Sequence, residues 1–156
     1  MKARSLFIFL SLVSLMSCKK DRLKDDKEIF VGTWNWIYSD ATLDICNGFP
    51  QSNVLLTPFS ENVFYELNFV KKGKVFFYKN ENLISDRRIV FEVFGKDYYA
   101  CGGDYVGFEI KLDNYKGTDV ENIIGGCINS DTLIIHNGFP YYNDGCNFYL
   151  NYFVKD

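Results

Sequence analysis

The chain has 156 residues and a formal net charge of −3, with 20 acidic against 17 basic side chains. That length suits one compact domain able to bury a core of its own. The acidic balance argues against nucleic acid as a partner, because a phosphate backbone is held by a basic face.

In chain order, the first feature is an apolar stretch from Leu6 to Met16 behind Lys2 and Arg4, closing in Leu15-Met16-Ser17-Cys18. A basic start, a short apolar segment and a small residue before a cut have the form of a secretory signal. The stretch is shorter than the roughly 20 apolar residues needed to span a bilayer. With cysteine at the cut, it resembles the lipobox of bacterial lipoproteins. The resemblance implies a signal peptide over residues 1–17, a diacylglycerol thioether on Cys18, cleavage just before it, and a membrane as partner through that anchor. Next comes Lys19 to Glu28, in which only Leu23 is uncharged. So charged a segment cannot bury enough apolar area to offset the entropy of ordering it, so residues 18–28 read as a flexible tether. Lysine rather than aspartate after Cys18 resembles outer-membrane lipoproteins. Asp25-Asp26 with Glu28 resembles the export signal of surface lipoproteins in Bacteroidetes-like bacteria. The expected location is the cell envelope, on the outer membrane, at its periplasmic face or the cell surface.

From Ile29 to Asp156 the pattern is β, with no long window of apolar positions at helical spacing, and the 15 Phe and 11 Tyr agree. Phe30 to Tyr38 alternates, with Phe30, Gly32, Trp34, Trp36 and Tyr38 on one face and Val31, Thr33, Asn35 and Ile37 on the other. Val63 to Val70 sets Val63, Tyr65, Leu67 and Phe69 against Glu66 and Asn68. Lys71 to Lys74 turns into a strand at Val75 to Lys79. Arg87 to Phe94 follows, with Ile89, Phe91 and Val93 inward and Arg88 and Glu92 outward. Val106, Phe108, Ile110 and Leu112 then alternate with Gly107, Glu109 and Lys111. A weaker strand is expected near Val120 to Ile124, a turn at Gly125-Gly126, and a strand from Thr132 to His136. The last strand, Asn147 to Val154, sets Phe148, Leu150, Tyr152 and Val154 against Asn147, Tyr149 and Asn151. About eight short strands with regular turns predict an all-β fold, an antiparallel up-and-down barrel or a sandwich.

Gly32-Thr33-Trp34 on the first strand resembles the Gly-x-Trp signature of lipocalins, and avidin-like barrels begin in a similar way. The lipocalin resemblance implies a barrel over residues 29–156, with the indole plugging its closed end. Lipocalins commonly lay an arginine from the last strand over that tryptophan. Here only Lys155 is basic near that end.

Four cysteines beyond Cys18 in an exported domain read as disulfides. Counting strands up and down places Cys46 and Cys146 at one barrel end and Cys101 and Cys127 at the other, so the expected pairs are 46–146 and 101–127. No close C-x-x-C pair accompanies the single histidine, His136, so no metal site is expected. The spacing of Asp113, Asp119 and Glu121 does not match a calcium loop. With no nucleophile elbow and no phosphate-cradling glycine loop, neither a cofactor nor enzymatic activity is expected.

Two functions stay open. A carrier would hold a small hydrophobic ligand inside the barrel, against Trp36, Tyr38, Tyr65, Phe91 and Phe108. An interaction or inhibitor module of the envelope would fill its barrel with aromatic side chains and bind another envelope protein through its loops. The near repeat of Cys46-Asn47-Gly48-Phe49-Pro50 as His136-Asn137-Gly138-Phe139-Pro140 places Phe49, Phe139, Tyr141 and Tyr142 at one rim for that purpose.

Overall fold

The computed structural model describes residue 23 and residues 25–42, 54–95, 101–113, 122–142 and 147–156, without the side chains of 25, 26, 91–95 and 137. Nine strands form one antiparallel sheet: β1 (Gly32–Thr42), β2 (Val54–Leu56), β3 (Tyr65–Val70), β4 (Lys74–Lys79), β5 (Asn82–Gly95), β6 (Val106–Leu112), β7 (Ile123–Ile128), β8 (Thr132–Asn137) and β9 (Phe148–Lys155). From β3 to β9 each strand pairs with the next, and β9 pairs back onto β1, so the sheet closes into an eight-position barrel. Closure leaves no free edge at β4 to β9, each of which has a strand on both sides. The up-and-down barrel expected from the strand count is therefore the observed fold.

One barrel position is filled in two pieces. β1 pairs through Gly32–Asn35 with β3 and through Ser39–Ala41 with β2. Between β2 and β3 the chain bows out through a short helix, α1 (Pro58–Glu61), started by a capping box between Thr57 and Ser60 and ended by Asn62 in the left-handed region. Pro at the helix start and a reciprocal Thr–Ser pair are the local reasons it forms. At Trp36–Tyr38 no described strand lies against β1 on this side, so the wall has a slot there.

The floor of the barrel is built at the start of β1. Trp34 is fully buried and its indole donates to the Phe30 carbonyl at 2.8 Å. Lys155 lies over the indole ring at 5.2 Å and donates to the Ile29 carbonyl at 3.0 Å. Gly32, at φ +134°, is what lets this happen, since a Cβ there would meet the lysine Cε at 2.9 Å. Lys155 is thus the basic side chain that covers the Trp34 indole. A 3-10 helix, Asp25–Phe30, closes the floor from below. Leu23 is buried, and its amide donates to the Lys71 carbonyl. The charged run is consequently not a free tether as far as Glu28: buried Leu23 and Phe30 dock it at residue 23 and at the 3-10 helix 25–30. Glu28 also pairs with Lys71, which holds its carboxyl below the ordinary range.

Three sequence expectations are corrected by bulges and close packing. A bulge between Trp36 and Tyr38 sends Ser39 and Ala41 inward, and Tyr38 stacks on Tyr152 at 4.3 Å between ring centroids. In β9 the fully buried residues are Asn151 and Phe153, so Phe148, Leu150, Tyr152 and Val154 form its outer face. Both faces of β9 hold large apolar side chains, and alternation alone could not choose between them. Gly125 and Gly126 lie inside β7 and make no turn. A Cβ on Gly126 would sit 1.9 Å from the Ile134 carbonyl oxygen, so glycine here permits β8 to approach.

The disulfide Cys101–Cys127 forms as expected, with its Cα atoms 5.9 Å apart. It clips the segment before β6 to β7, beside His136, whose Nε2 lies 3.7 Å from the Cys127 sulfur. Burial lowers the pKa of His136 below its ordinary value. Cys18, Cys46 and Cys146 lie outside the described residues.

Candidate functional site

Opposite the floor, the barrel mouth is where sequence placed a ligand cavity or an aromatic rim. The segment 138–142 between β8 and β9 folds into this mouth. Phe139 is only 6% exposed, with its ring edge-on to Tyr65 at 5.1 Å and to Phe77 at 5.2 Å. Tyr141 meets Trp36 at 5.8 Å and stacks on Tyr149 at 5.3 Å. These aromatic contacts close the mouth from within.

A buried polar chain holds the plug in place. The Trp36 indole donates to Ser39 Oγ at 2.9 Å, Ser39 Oγ donates to Asn151 Oδ1 at 2.6 Å, and Asn151 Nδ2 donates to the carbonyls of Tyr141 at 2.9 Å and Gly138 at 3.3 Å. Ser39 and Asn151 are both fully buried, so this chain satisfies groups that would otherwise be costly in the interior. Burial, reinforced by the Glu61 carboxylate, pushes the Tyr141 hydroxyl up to about 12, so it stays protonated.

Two clefts flank the plug. The first, of about 330 Å³, lies between it and β4–β6, and is lined by Phe77, Ile84, Ser85, Arg87, Leu112, Phe139 and Tyr142. Arg87 is held there by Asp113, through Nε to Oδ1 at 3.0 Å and Nη2 to the backbone carbonyl, and by Asn122. The second, of about 470 Å³, is the slot in the wall between β1 and β3. Asn35, Trp36, Ile37, Pro58, Phe64, Tyr65, Glu66 and Glu81 line it. Around it Ile37, Leu55, Phe59 and Phe64 are exposed, Phe59 at 96%.

The residues proposed from sequence divide accordingly. Trp36 and Tyr65 lie together under the mouth, 5.5 Å apart and edge-on. Phe108 belongs to the floor instead, fully buried and edge-on to Phe30 at 5.0 Å. Tyr38 is on the outer wall, turned there by the bulge. The side chain of Phe91 lies outside the described residues; a bulge between Ile89 and Phe91 sets its backbone opposite Lys111. Of the rim, Phe49 lies outside the described residues, Phe139 is buried as the plug, and Tyr141 and Tyr142 are half-buried. Phe139 does not present the aromatic surface expected of it at the rim, because its ring is buried inside the mouth and Asn151 ties its loop inward.

Sequence reasoning missed Ser39, Asn151 and Arg87. Arg87 carried a signal: it is two residues from inward-facing Ile89 and pairs with fully buried Val75, so its parity places it on the inner face. Among the described residues no group of three or more His, Cys, Asp or Glu side chains could hold a metal ion. Neither a family model, nor a curated protein, nor a solved structure matches the chain.

Proposed function

We propose that the chain is a lipid-anchored lipoprotein of the cell envelope, held in the outer membrane through Cys18, whose lipocalin-like barrel is a filled scaffold that binds another envelope component at its mouth and adjoining wall. The observation that supports this reading is Phe139, seated between Tyr65 and Phe77 where the ligand of an open barrel would lie. Exposed Phe59 and Phe64 beside the mouth offer apolar surface that folding does not use.

A second reading is favoured by the 330 Å³ cleft, which is at the small end of ligand pockets. There a short acyl chain would lie against Phe77, Leu112 and Phe139 with its carboxylate toward Arg87. One titration separates the two. In the Cys18→Ser chain, palmitate and retinol should leave tryptophan fluorescence unchanged, while Phe139→Ala should make Trp36 quenchable by opening the mouth. Saturable quenching at one ligand per chain with Phe139 intact would make the protein a carrier. The same Cys18→Ser change should move the protein from the membrane to the soluble fraction, and continued membrane partition would refute the anchor.

A further inference from the structure

The slot between β1 and β3 has a composition that neither the plug nor the barrel requires. Its inner end is formed by Trp36 and Tyr65 and its outer end by Pro58 and Phe64, with the carboxylates of Glu66 and Glu81 among its lining groups. Glu81 is held there by the β4–β5 turn, where Asn80 and Glu81 both adopt positive φ. That turn is fastened to the slot, since the Phe64 amide donates to Asn80 Oδ1 at 2.7 Å and the Asn80 amide to the Phe64 carbonyl at 2.8 Å. Asp156 stands nearby, accepting from Asn35 Nδ2 at 2.8 Å.

The charged side chains that line the slot, Glu66 and Glu81, are both acidic. Glu66 is pushed up by partial burial first, and then by two carboxylates, Asp156 and Glu81. Lys79, paired across the ladder from Tyr65, lies with its ammonium 5.8 Å from the Tyr65 ring. The Tyr65 ring therefore already lies within reach of one cation of the chain. A volume of about 470 Å³ accommodates a small molecule.

We infer that the slot is a binding site for a small organic ammonium with a short apolar substituent, its charge between Glu66 and Glu81 and its apolar body against Trp36, Phe64 and Tyr65. Opposite charge in a partly desolvated cleft is attracted more strongly than in water, and aromatic faces stabilise an ammonium without demanding directed hydrogen bonds. The inference deepens the reading of the adjoining wall and rests its charge on Glu66 and Glu81, so discrimination between a charged and an uncharged probe tests it whether or not the mouth is filled.

Calorimetric titration of the full chain with phenethylammonium and with 2-phenylethanol tests it, because the two share an apolar body and differ in charge. The ammonium should bind at least tenfold more tightly than the alcohol. The double variant Glu66→Gln with Glu81→Gln should weaken the ammonium at least tenfold, leave the alcohol unchanged, and keep the circular dichroism spectrum of the parent. Lys79→Met, which removes the resident ammonium, should strengthen binding and provides an independent arm should the double variant fold poorly. Equal binding of the two probes, absence of binding at millimolar ammonium, an unaltered affinity in the double variant, or weakened binding in Lys79→Met would overturn the inference.

Discussion

Trp34→Ala is expected to cost about 3–5 kcal/mol, the range for deleting a large aromatic side chain from a packed interior. For a domain whose total stability is on the order of 5–15 kcal/mol, that is a large fraction. Three losses act together. The fully buried indole leaves a cavity, the Phe30 carbonyl loses its donor, and Lys155 loses the ring beneath its ammonium. The 3-10 helix that begins the barrel floor should loosen with them. Urea unfolding followed by circular dichroism measures the change, with Trp34→Phe as the informative comparison. Phenylalanine keeps a ring under Lys155 but gives the Phe30 carbonyl nothing, so it should recover part of the loss and not all. A midpoint for Trp34→Ala within experimental error of the parent would show that the floor does not depend on the indole.

The second large effect is Asn151→Leu, a change of little volume and much chemistry. Leucine cannot accept from Ser39 Oγ, nor donate to the carbonyls of Gly138 and Tyr141. Unsatisfied buried polar groups cost about 1–3 kcal/mol each, so a loss of about 4 kcal/mol is expected. The plug should also come free, exposing Trp36 and shifting its emission to the red. Adding Ser39→Ala removes the orphaned hydroxyl, so the double variant should lose less than the two single losses added together. Strict additivity in urea unfolding would mean that Ser39 and Asn151 do not act as a unit.

These two positions mark how far the sequence could be read. Trp34 stood in a recognisable pattern, because strand alternation and the preceding glycine both have local causes. The same alternation placed Leu67, Phe69, Phe108, Ile110 and Leu112 inward, where they are buried. Counting strand directions also brought Cys101 to Cys127, since topology decides which loops share a barrel end. Asn151 was not legible, because β9 has apolar residues on both faces and its orientation is decided by partners far away in sequence. Tyr38 was misplaced by one extra residue in β1, and a bulge leaves no mark in a period-two pattern. Phe139 looked like rim surface because nothing in a loop sequence tells whether it folds outward or back inside. Leu23 was hidden as one apolar residue in a charged run. The wall slot depends on where α1 interrupts the ladder, and four helical residues give no periodicity to read.

The pairing of β1 with β9 bears on how the molecule is made. A ribosome delivers β1 early and β9 late, yet on one flank residues Trp34–Thr42 find their partners in Phe148–Lys155. Until β9 emerges, one flank of β1 is an open edge that can recruit any passing strand, including one from another copy. Contacts so distant along the chain also form slowly. A prematurely ended chain would contain most of the wall and none of the seam, and would be recognised by its stickiness rather than by its missing residues. Joining β9 to β1 thus makes the last strand of the barrel the one on which its closure waits.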